Sequence, residues 1–265
     1  MPEKPKTTIC SYCSIGCALD VHDADGVSGI RGKADYPVNE GRACDKGFNL
    51  IEPFDSDERG TIPLVKTEEG MEPLQWLDAA WLFTQRMKDI MREWGPESVA
   101  FLSTGQITTE EMALLGALAK FGMGMVHGDG NTRQCMASST VAYKQAFGFD
   151  APPYACTDLE ESDTLIFIGA NPVVAHPIMW HRVRANRKNP KVVVIDPRKT
   201  KTAQAATHHY AVKPKTDLAL LYAIANLLIE KDWIDHDFIE QHTEGFRAFR
   251  AHAAEYPLKL TAAEC

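Results

Sequence analysis

No run of apolar residues in this sequence is long enough to span a bilayer, and no secretory hydrophobic region is present. A spanning helix needs about 20 consecutive apolar residues, so a membrane-spanning role is excluded from the reading. The first motif able to carry chemistry begins at Cys10, so no signal peptide is expected before it. Basic patches are missing as well, and the net charge of −8 disfavours nucleic acid and anionic membrane as partners. There is no internal repeat and no low-complexity tract. There is also no G-x-G-x-x-G, which disfavours an ordinary NAD site. Cysteine is sparse, with 7 in 265 residues, and four of these fall in one motif. That distribution is unlike the disulfide framework of a secreted domain. A reducing, cytoplasmic setting is expected.

What is present begins with that motif. Cys10, Cys13, Cys17 and Cys44 read C-x2-C-x3-C-x26-C. Four soft thiolates around one centre suit an iron–sulfur cluster or a structural zinc. Structural zinc sites are usually built from two short pairs. Here the cysteines fall three and one, which favours a [4Fe–4S] cluster. Lys46 lies two residues after the fourth cysteine. A cation there offsets the charge of an anionic cluster or bridges to a second redox group; the alternative is a solvated lysine in a Gly-rich loop.

The length of 265 residues suggests about two domains as a prior, and 45% apolar residues can fill a core. Ala18–His22 reads as a short strand, and Gly26, Gly29 and Gly32 punctuate a meander back to Cys44. A unit this small can fold around its metal. A short edge strand is expected at residues 62–65. The apolar periodicity of Trp76, Leu77, Ala80, Trp81, Met87, Ile90, Met91 and Trp94 predicts a helix from Trp76 to Trp94 with this face in the core.

Next comes an α/β unit. A buried strand at 99–102 leads through Ser103-Thr104-Gly105-Gln106 to a capping box at Thr108 and Glu111, then an apolar helix to about Phe121. Such a turn receives ligands, and Gln106 is a candidate donor. Turn formers at 128–131 precede Cys135, with a helix expected from Ser138 to Phe147. A cysteine opening a helix is favoured as thiolate, which suits a metal ligand or nucleophile; a buried inert cysteine is the alternative. Cys156 has no such context and reads as inert.

From residue 164 the pattern becomes βα. The runs at 164–168 and 192–195 read as strands buried on both faces, with a third near 209–212. The turns at 169–171, 196–198 and 215–217 follow them, and Asp217 opens an apolar helix to Glu230. This is a doubly wound nucleotide-binding pattern, in which ligands lie beyond the carboxyl ends of the strands. Asp196 is placed to bind ribose hydroxyls. His208 and His209 read as satisfied edge residues. Near the end, Thr261 and Glu264 have capping-box spacing, so a helix is expected to begin where the sequence stops. The sequence is therefore expected to be the front portion of a longer protein.

Taken together, these motifs resemble the molybdopterin oxidoreductases that carry a bis-molybdopterin guanine dinucleotide cofactor. Within that family the chain is similar to prokaryotic assimilatory and periplasmic nitrate reductases. The resemblance rests on the cluster cysteines with Lys46, Gln106, Asn131, Cys135-Met136, the 169–171 turn, His176-Pro177 and residues 213–217, all in order. It implies that Cys10, Cys13, Cys17 and Cys44 hold a [4Fe–4S] cluster and that Lys46 lies between it and one pterin. Gln106 and Asn131 would contact the cofactor, and Cys135 would ligate molybdenum, or tungsten in its place. Ile168, Gly169, Ala170, Asn171, Pro172, Val173, Val174 and Ala175 would hold a guanine dinucleotide arm. Asp196, Pro197, Arg198, Lys199 and Thr200 would share that role, as would Lys215, Thr216 and Asp217.

The implied organisation is α/β. It comprises a small cluster domain at 1–60, part of a mixed α/β molybdopterin-binding domain at 61–155, and part of a Rossmann-like doubly wound parallel-sheet domain at 156–265. The chain is expected to be truncated relative to the family. The implied reaction is two-electron reduction of nitrate to nitrite, with catalytic roles for Cys135 and Lys46. Electrons would come from a ferredoxin, a flavodoxin or an NADH-linked subunit. Formate dehydrogenases are the nearest alternative, but in them the metal-ligating residue is typically followed by His, a proton-handling group. Here Met136 follows Cys135, which favours nitrate. A non-enzymatic electron-transfer module, or an inactive fragment, is the remaining alternative.

Overall fold

The computed structural model describes residues 5–24 and 27–265. Gly26, expected to help shape the early meander, lies outside the described residues. The chain divides into two compact units, Met1–Tyr154 and Ala155–Cys265.

The first unit opens with an antiparallel sheet of β1 (Lys6–Ile9), β2 (Ala18–Ala24) and β3 (Val27–Gly32), in that order. Ile9 pairs with Ala18, so residues 10–17 form an excursion between paired strands. The Cys10 N–H closes it by donating to the Cys17 C=O at 2.9 Å. Leu19 is fully buried, with its side chain beside Gly47 of the helix after Cys44. The return of the chain to Cys44 requires glycine at 32, because a Cβ there would lie 2.4 Å from the Arg42 carbonyl oxygen. After the short helix Asp45–Phe48 come β4 (Leu64–Lys66) and β5 (Met71–Pro73), an antiparallel pair at the expected edge strand.

The helix Trp76–Trp94 has the bounds its periodicity predicts, and Gly95 ends it with φ of 86°. Its burial differs from the expectation. Met87 is its one buried residue, packed with Ala119 and Met125 and flanked by Met91, Val99, Phe101 and Met123. Trp76, Leu77, Trp81 and Trp94 are 65–85% exposed, because among the described residues no second layer covers that side of the helix.

β6 (Ala100–Ser103) and β7 (His127–Gly130) run parallel, with Phe101 opposite Gly128. Between them the predicted capping box forms. The Thr108 N–H donates to Glu111 Oε2 at 2.9 Å, and the Glu111 N–H donates to Thr108 Oγ1 at 3.3 Å. The helix Thr109–Ala117 then passes into a π-turn, Leu118–Gly122. The next helix is Thr132–Phe147, which starts at Thr132 and not at Ser138. The six added residues, 132–137, open with the polar Thr132-Arg133-Gln134, which has no apolar period to betray the start. An i,i+4 ion pair between Asp129 and Arg133, at 2.7 Å, supports it.

The second unit holds β8 (Thr164–Ile168), β9 (Lys191–Ile195) and β10 (His208–Tyr210) in a parallel sheet of order β10-β9-β8. Helical segments follow each strand, among them Pro177–Ala185, Lys201–Ala205 and Asp217–Glu230. Ile195 pairs with both Ile168 and Tyr210, so the three carboxyl ends are level. The core is Leu165, Val183 and Val192, with Phe167 and Trp180 against it. β8 is not buried on both faces as expected: Leu165 is buried, whereas Ile166 is 60% exposed. Arg182, buried in this unit, forms an ion pair with Glu160 at 2.5 Å.

His208 and His209 are partnered as expected. His208 Nδ1 lies 3.1 Å from Thr207 Oγ1, and His209 Nε2 lies 2.9 Å from the Asp196 carbonyl oxygen. The last helix is Leu258–Glu264. Thr261 is therefore a buried residue inside it and not the cap of a helix yet to begin. Lys213 Nζ donates to the Glu264 C=O at 3.0 Å, a cation on the negative end of that helix.

Candidate cluster and metal-thiolate site

The cysteine loop brings its thiols together. Burial pushes the Cys17 thiol up to about 11, and the thiols of Cys10, Cys13 and Cys44 add to the rise. Burial also raises Cys10, with Cys13 and Cys44 adding, while a backbone hydrogen bond at Tyr12 and the Lys46 ammonium pull it back. Cys10 and Cys17 therefore feel the charge of Cys13 and Cys44, and Lys46 acts on Cys10. Among the described residues no three His, Cys, Asp or Glu side chains converge on a single-ion point. Four soft thiol donors on one loop system, with a cation acting on Cys10, fit an iron–sulfur cluster whose thiolate ligation releases their protons. Cys10, Cys13, Cys17 and Cys44 are the residues that would hold it.

A fifth thiol, that of Cys135, is tied to this loop through one turn. Ser14 Oγ donates to the Gly105 C=O at 3.0 Å, and Gln106 Nε2 donates to the Tyr12 C=O. On the other side of the same turn, the Gly105 N–H donates to Asn131 Oδ1 at 3.1 Å, and the Asn131 N–H donates to the Ser103 C=O at 2.9 Å. Asn131 immediately precedes the helix that carries Cys135. Parallel pairing of Ser103 with Gly130 is what puts the two turns side by side. Cys135 is exposed, its Sγ 3.7 Å from the Thr132 carbonyl oxygen, so its sulfur is accessible to a metal. The hydrogen bond from Arg133, aided by the Gly130 N–H, holds the Asp129 carboxyl below the usual carboxylate range. That pairing fixes the entry to the same helix.

In the second unit the turns expected to hold a guanine dinucleotide arm follow the level ends of the parallel strands. Gly169 is left-handed, with φ of 58°, and its N–H donates to the Ile195 C=O at 2.9 Å. Asn171 Oδ1 accepts from Thr202 Oγ1 at 2.7 Å and from the Thr202 N–H at 3.2 Å. Thr202 Oγ1 accepts from the Val173 N–H at 3.2 Å, which joins the first turn to the helix after β9. Asp196 Oδ1 accepts from the Arg198 N–H at 2.8 Å, and Thr200 caps the helix Lys201–Ala205 through the Ala203 N–H at 3.1 Å. Arg198, Lys199 and Lys215 are exposed, and Lys215 is left-handed with φ of 75°. Exposed cations with an acidic residue at strand ends suit an anionic dinucleotide.

Three residues of these sites were not singled out from sequence. Asn39 is fully buried and grips the strand that follows Cys17. Ser14 and Thr202 act through hydroxyls whose partners are distant in sequence. No local pattern announces any of them.

Comparison with known proteins gives a consistent picture. Residues 3–55 match the family described as Molybdopterin oxidoreductase Fe4S4 domain, and residues 59–254 match the family described as Molybdopterin oxidoreductase. The chain is 39% identical over 247 residues to an assimilatory nitrate reductase of Haloferax mediterranei, covering 92% of this chain and 34% of that protein. It is 32% identical over 267 residues to the F420-dependent formate dehydrogenase subunit alpha of Methanocaldococcus jannaschii, covering 100% of this chain and 39% of that one. Its fold is similar to that of acetylene hydratase from Pelobacter acetylenicus, with a TM-score of 0.81 at 23% identity over 98% of this chain and 36% of the other. The chain thus spans about a third of the length of the curated relatives it matches.

Proposed function

The chain belongs to the molybdopterin oxidoreductase family, and we propose that within it the protein is a nitrate reductase. The reaction adds two electrons and two protons to nitrate and yields nitrite and water. When bound, the bis-molybdopterin guanine dinucleotide metal supplies oxygen-atom transfer and the [4Fe–4S] cluster supplies single electrons. The rest falls to the chain's own residues. Cys10, Cys13, Cys17 and Cys44 hold the cluster, and the Lys46 ammonium offsets its negative charge. Cys135 offers its sulfur to molybdenum, or to tungsten in its place. Gln106 and Asn131 hold the turn beside it, and the turns of the second unit take the guanine dinucleotide.

One observation carries the redox reading: a single turn, Gly105-Gln106, is hydrogen-bonded both to the cysteine loop and to the residue that opens the Cys135 helix. Electron supply and metal thiolate are thereby built into one unit. Nitrate over formate is supported by Met136 beside Cys135, where a thioether cannot handle a proton, and by the likeness to proteins named nitrate reductase. The likeness to a formate dehydrogenase subunit keeps formate oxidation as the second reading. A ferredoxin, flavodoxin or NADH-linked subunit in the cytoplasm suits a protein whose cysteines must remain reduced until metal binds.

The test is an assay of the natively expressed protein with a reduced viologen dye and nitrate, set against formate with oxidised dye. Nitrite formation without formate oxidation is expected. Formate oxidation without nitrite formation overturns the nitrate reading in favour of the second.

A further inference from the structure

Ser14 stands among the cluster cysteines, and its backbone is left-handed, with φ of 58°. Residues other than glycine resist that conformation because Cβ crowds the following carbonyl. The loop nevertheless holds Ser14 there, and the hydroxyl reaches out of the loop to the Gly105 C=O at 3.0 Å. Gly105 has little freedom of its own. A Cβ on it would stand 3.0 Å from Thr132 Cγ2, and its N–H is committed to Asn131 Oδ1 at 3.1 Å. Thr132 and Asn131 belong to the start of the Cys135 helix. One residue is thus grasped from one side by the cysteine loop and from the other by that helix, and Gln106 adds a second hold on the loop at Tyr12.

We infer that Ser14 is a positioning residue: through Gly105 it fixes the cysteine loop against the Cys135 helix and so governs electron passage between the two centres. The inference rests on the function proposed above. Each nitrate reduced would require two electrons, which the cluster, when bound, would supply singly. No bond forms or breaks at Ser14, whose hydroxyl remains a hydrogen-bond donor throughout. Electron tunnelling falls steeply with separation, so a small relaxation here slows transfer while each centre stays intact. A role confined to folding lowers stability and leaves transfer unchanged.

The test uses the natively expressed, metal-loaded protein and the variants Ser14→Ala, Ser14→Gly and Ser14→Asn. Iron and molybdenum are quantified first. The cluster is then reduced and mixed with nitrate, and its reoxidation is followed by visible absorbance. The magnetic interaction between the two centres is read by electron paramagnetic resonance. Ser14→Ala and Ser14→Gly are expected to keep full metal content and KM for nitrate, with reoxidation slowed about ten-fold and the magnetic interaction altered. Ser14→Asn tolerates the left-handed backbone and carries an N–H donor, so it restores part of the rate. Wild-type reoxidation and wild-type magnetic interaction in Ser14→Gly overturn the inference, as does a rate loss that merely tracks lost iron. If the wild-type protein holds only one of the two metals, the proposed function falls and this inference with it. Loaded wild type with indifferent variants sinks this inference alone.

Discussion

Asn39 holds both polar groups of Ala18: its Oδ1 accepts from the Ala18 N–H and its Nδ2 donates to the Ala18 C=O, each at 3.0 Å. The same Nδ2 donates to the Arg42 C=O at 2.6 Å. A single carboxamide therefore pins the strand after Cys17 to the loop that delivers Cys44. Asn39→Ala leaves the buried Ala18 N–H without this partner, while the Ala18 C=O keeps the Lys33 N–H at 2.9 Å, at a cost of about 2 kcal/mol. The expected outcome is a lower midpoint in urea and faster loss of cluster absorbance on dilution, with Asn39→Asp intermediate. Wild-type cluster retention in Asn39→Ala contradicts this role.

Lys46 places a positive charge near Cys10, and its electrostatic effect favours the Cys10 thiolate. A cluster held by these cysteines would gain negative charge on reduction, which the Lys46 ammonium would stabilise. Lys46→Met is therefore expected to lower the cluster's reduction potential, measured by a dye-mediated titration, and to slow turnover with weak reductants more than with strong ones. An unchanged potential removes Lys46 from the electron path.

Gly128 lies opposite Phe101, and a Cβ at 128 would meet the ring at 2.0 Å. Phe101 cannot swing aside easily, because it packs on the Met87, Ala119 and Met125 core. Gly128→Ala is expected to destabilise the first unit by about 2 kcal/mol. It also displaces the turn carrying Asn131, so Mo content falls along with the unfolding midpoint. Retention of both shows that the ring has room to move.

Proton release gives a pH signature. Cys17 without metal keeps its proton up to about 11, against an ordinary value of 9.0. As pH rises from about 9 to 11, an unfolded chain ionises this thiol while the folded apoprotein does not. Folding without metal thus loses stability across that window and is unaffected by Cys17 below it. Cluster assembly runs the other way. It must strip the proton from Cys17, so reconstitution at limiting iron and sulfide is expected to improve as pH rises toward the Cys17 value. A flat pH profile for both measurements contradicts thiol ionisation as the link.

The cysteine spacing, the helix Trp76–Trp94, the capping box at Thr108 and the βα succession were legible because each is written in local pattern. What escaped had non-local causes. The Cys135 helix starts at Thr132 because Asn131 is held by Gly105 and Asp129 meets Arg133, interactions invisible to apolar periodicity. Burial of Ile166 was overestimated because a continuous apolar run looks the same whether one face or both are covered. The same limit applies to Trp76 and Trp81, whose spacing marks a face without saying what covers it. Asn39 and Ser14 carry no signature at all, since their partners are fixed only once the chain has folded.

The central claim is that four amino-terminal thiols and the sulfur of Cys135 serve two redox centres in one protein. It is tested most directly by elemental analysis of the natively expressed protein beside its Cys17→Ala and Cys135→Ala variants. The account predicts four iron to one molybdenum, or one tungsten, in the wild type. It further predicts that Cys17→Ala loses iron first and that Cys135→Ala keeps its iron while losing nitrite formation. Iron with neither molybdenum nor tungsten in the wild type, or full nitrite formation by Cys135→Ala, contradicts it.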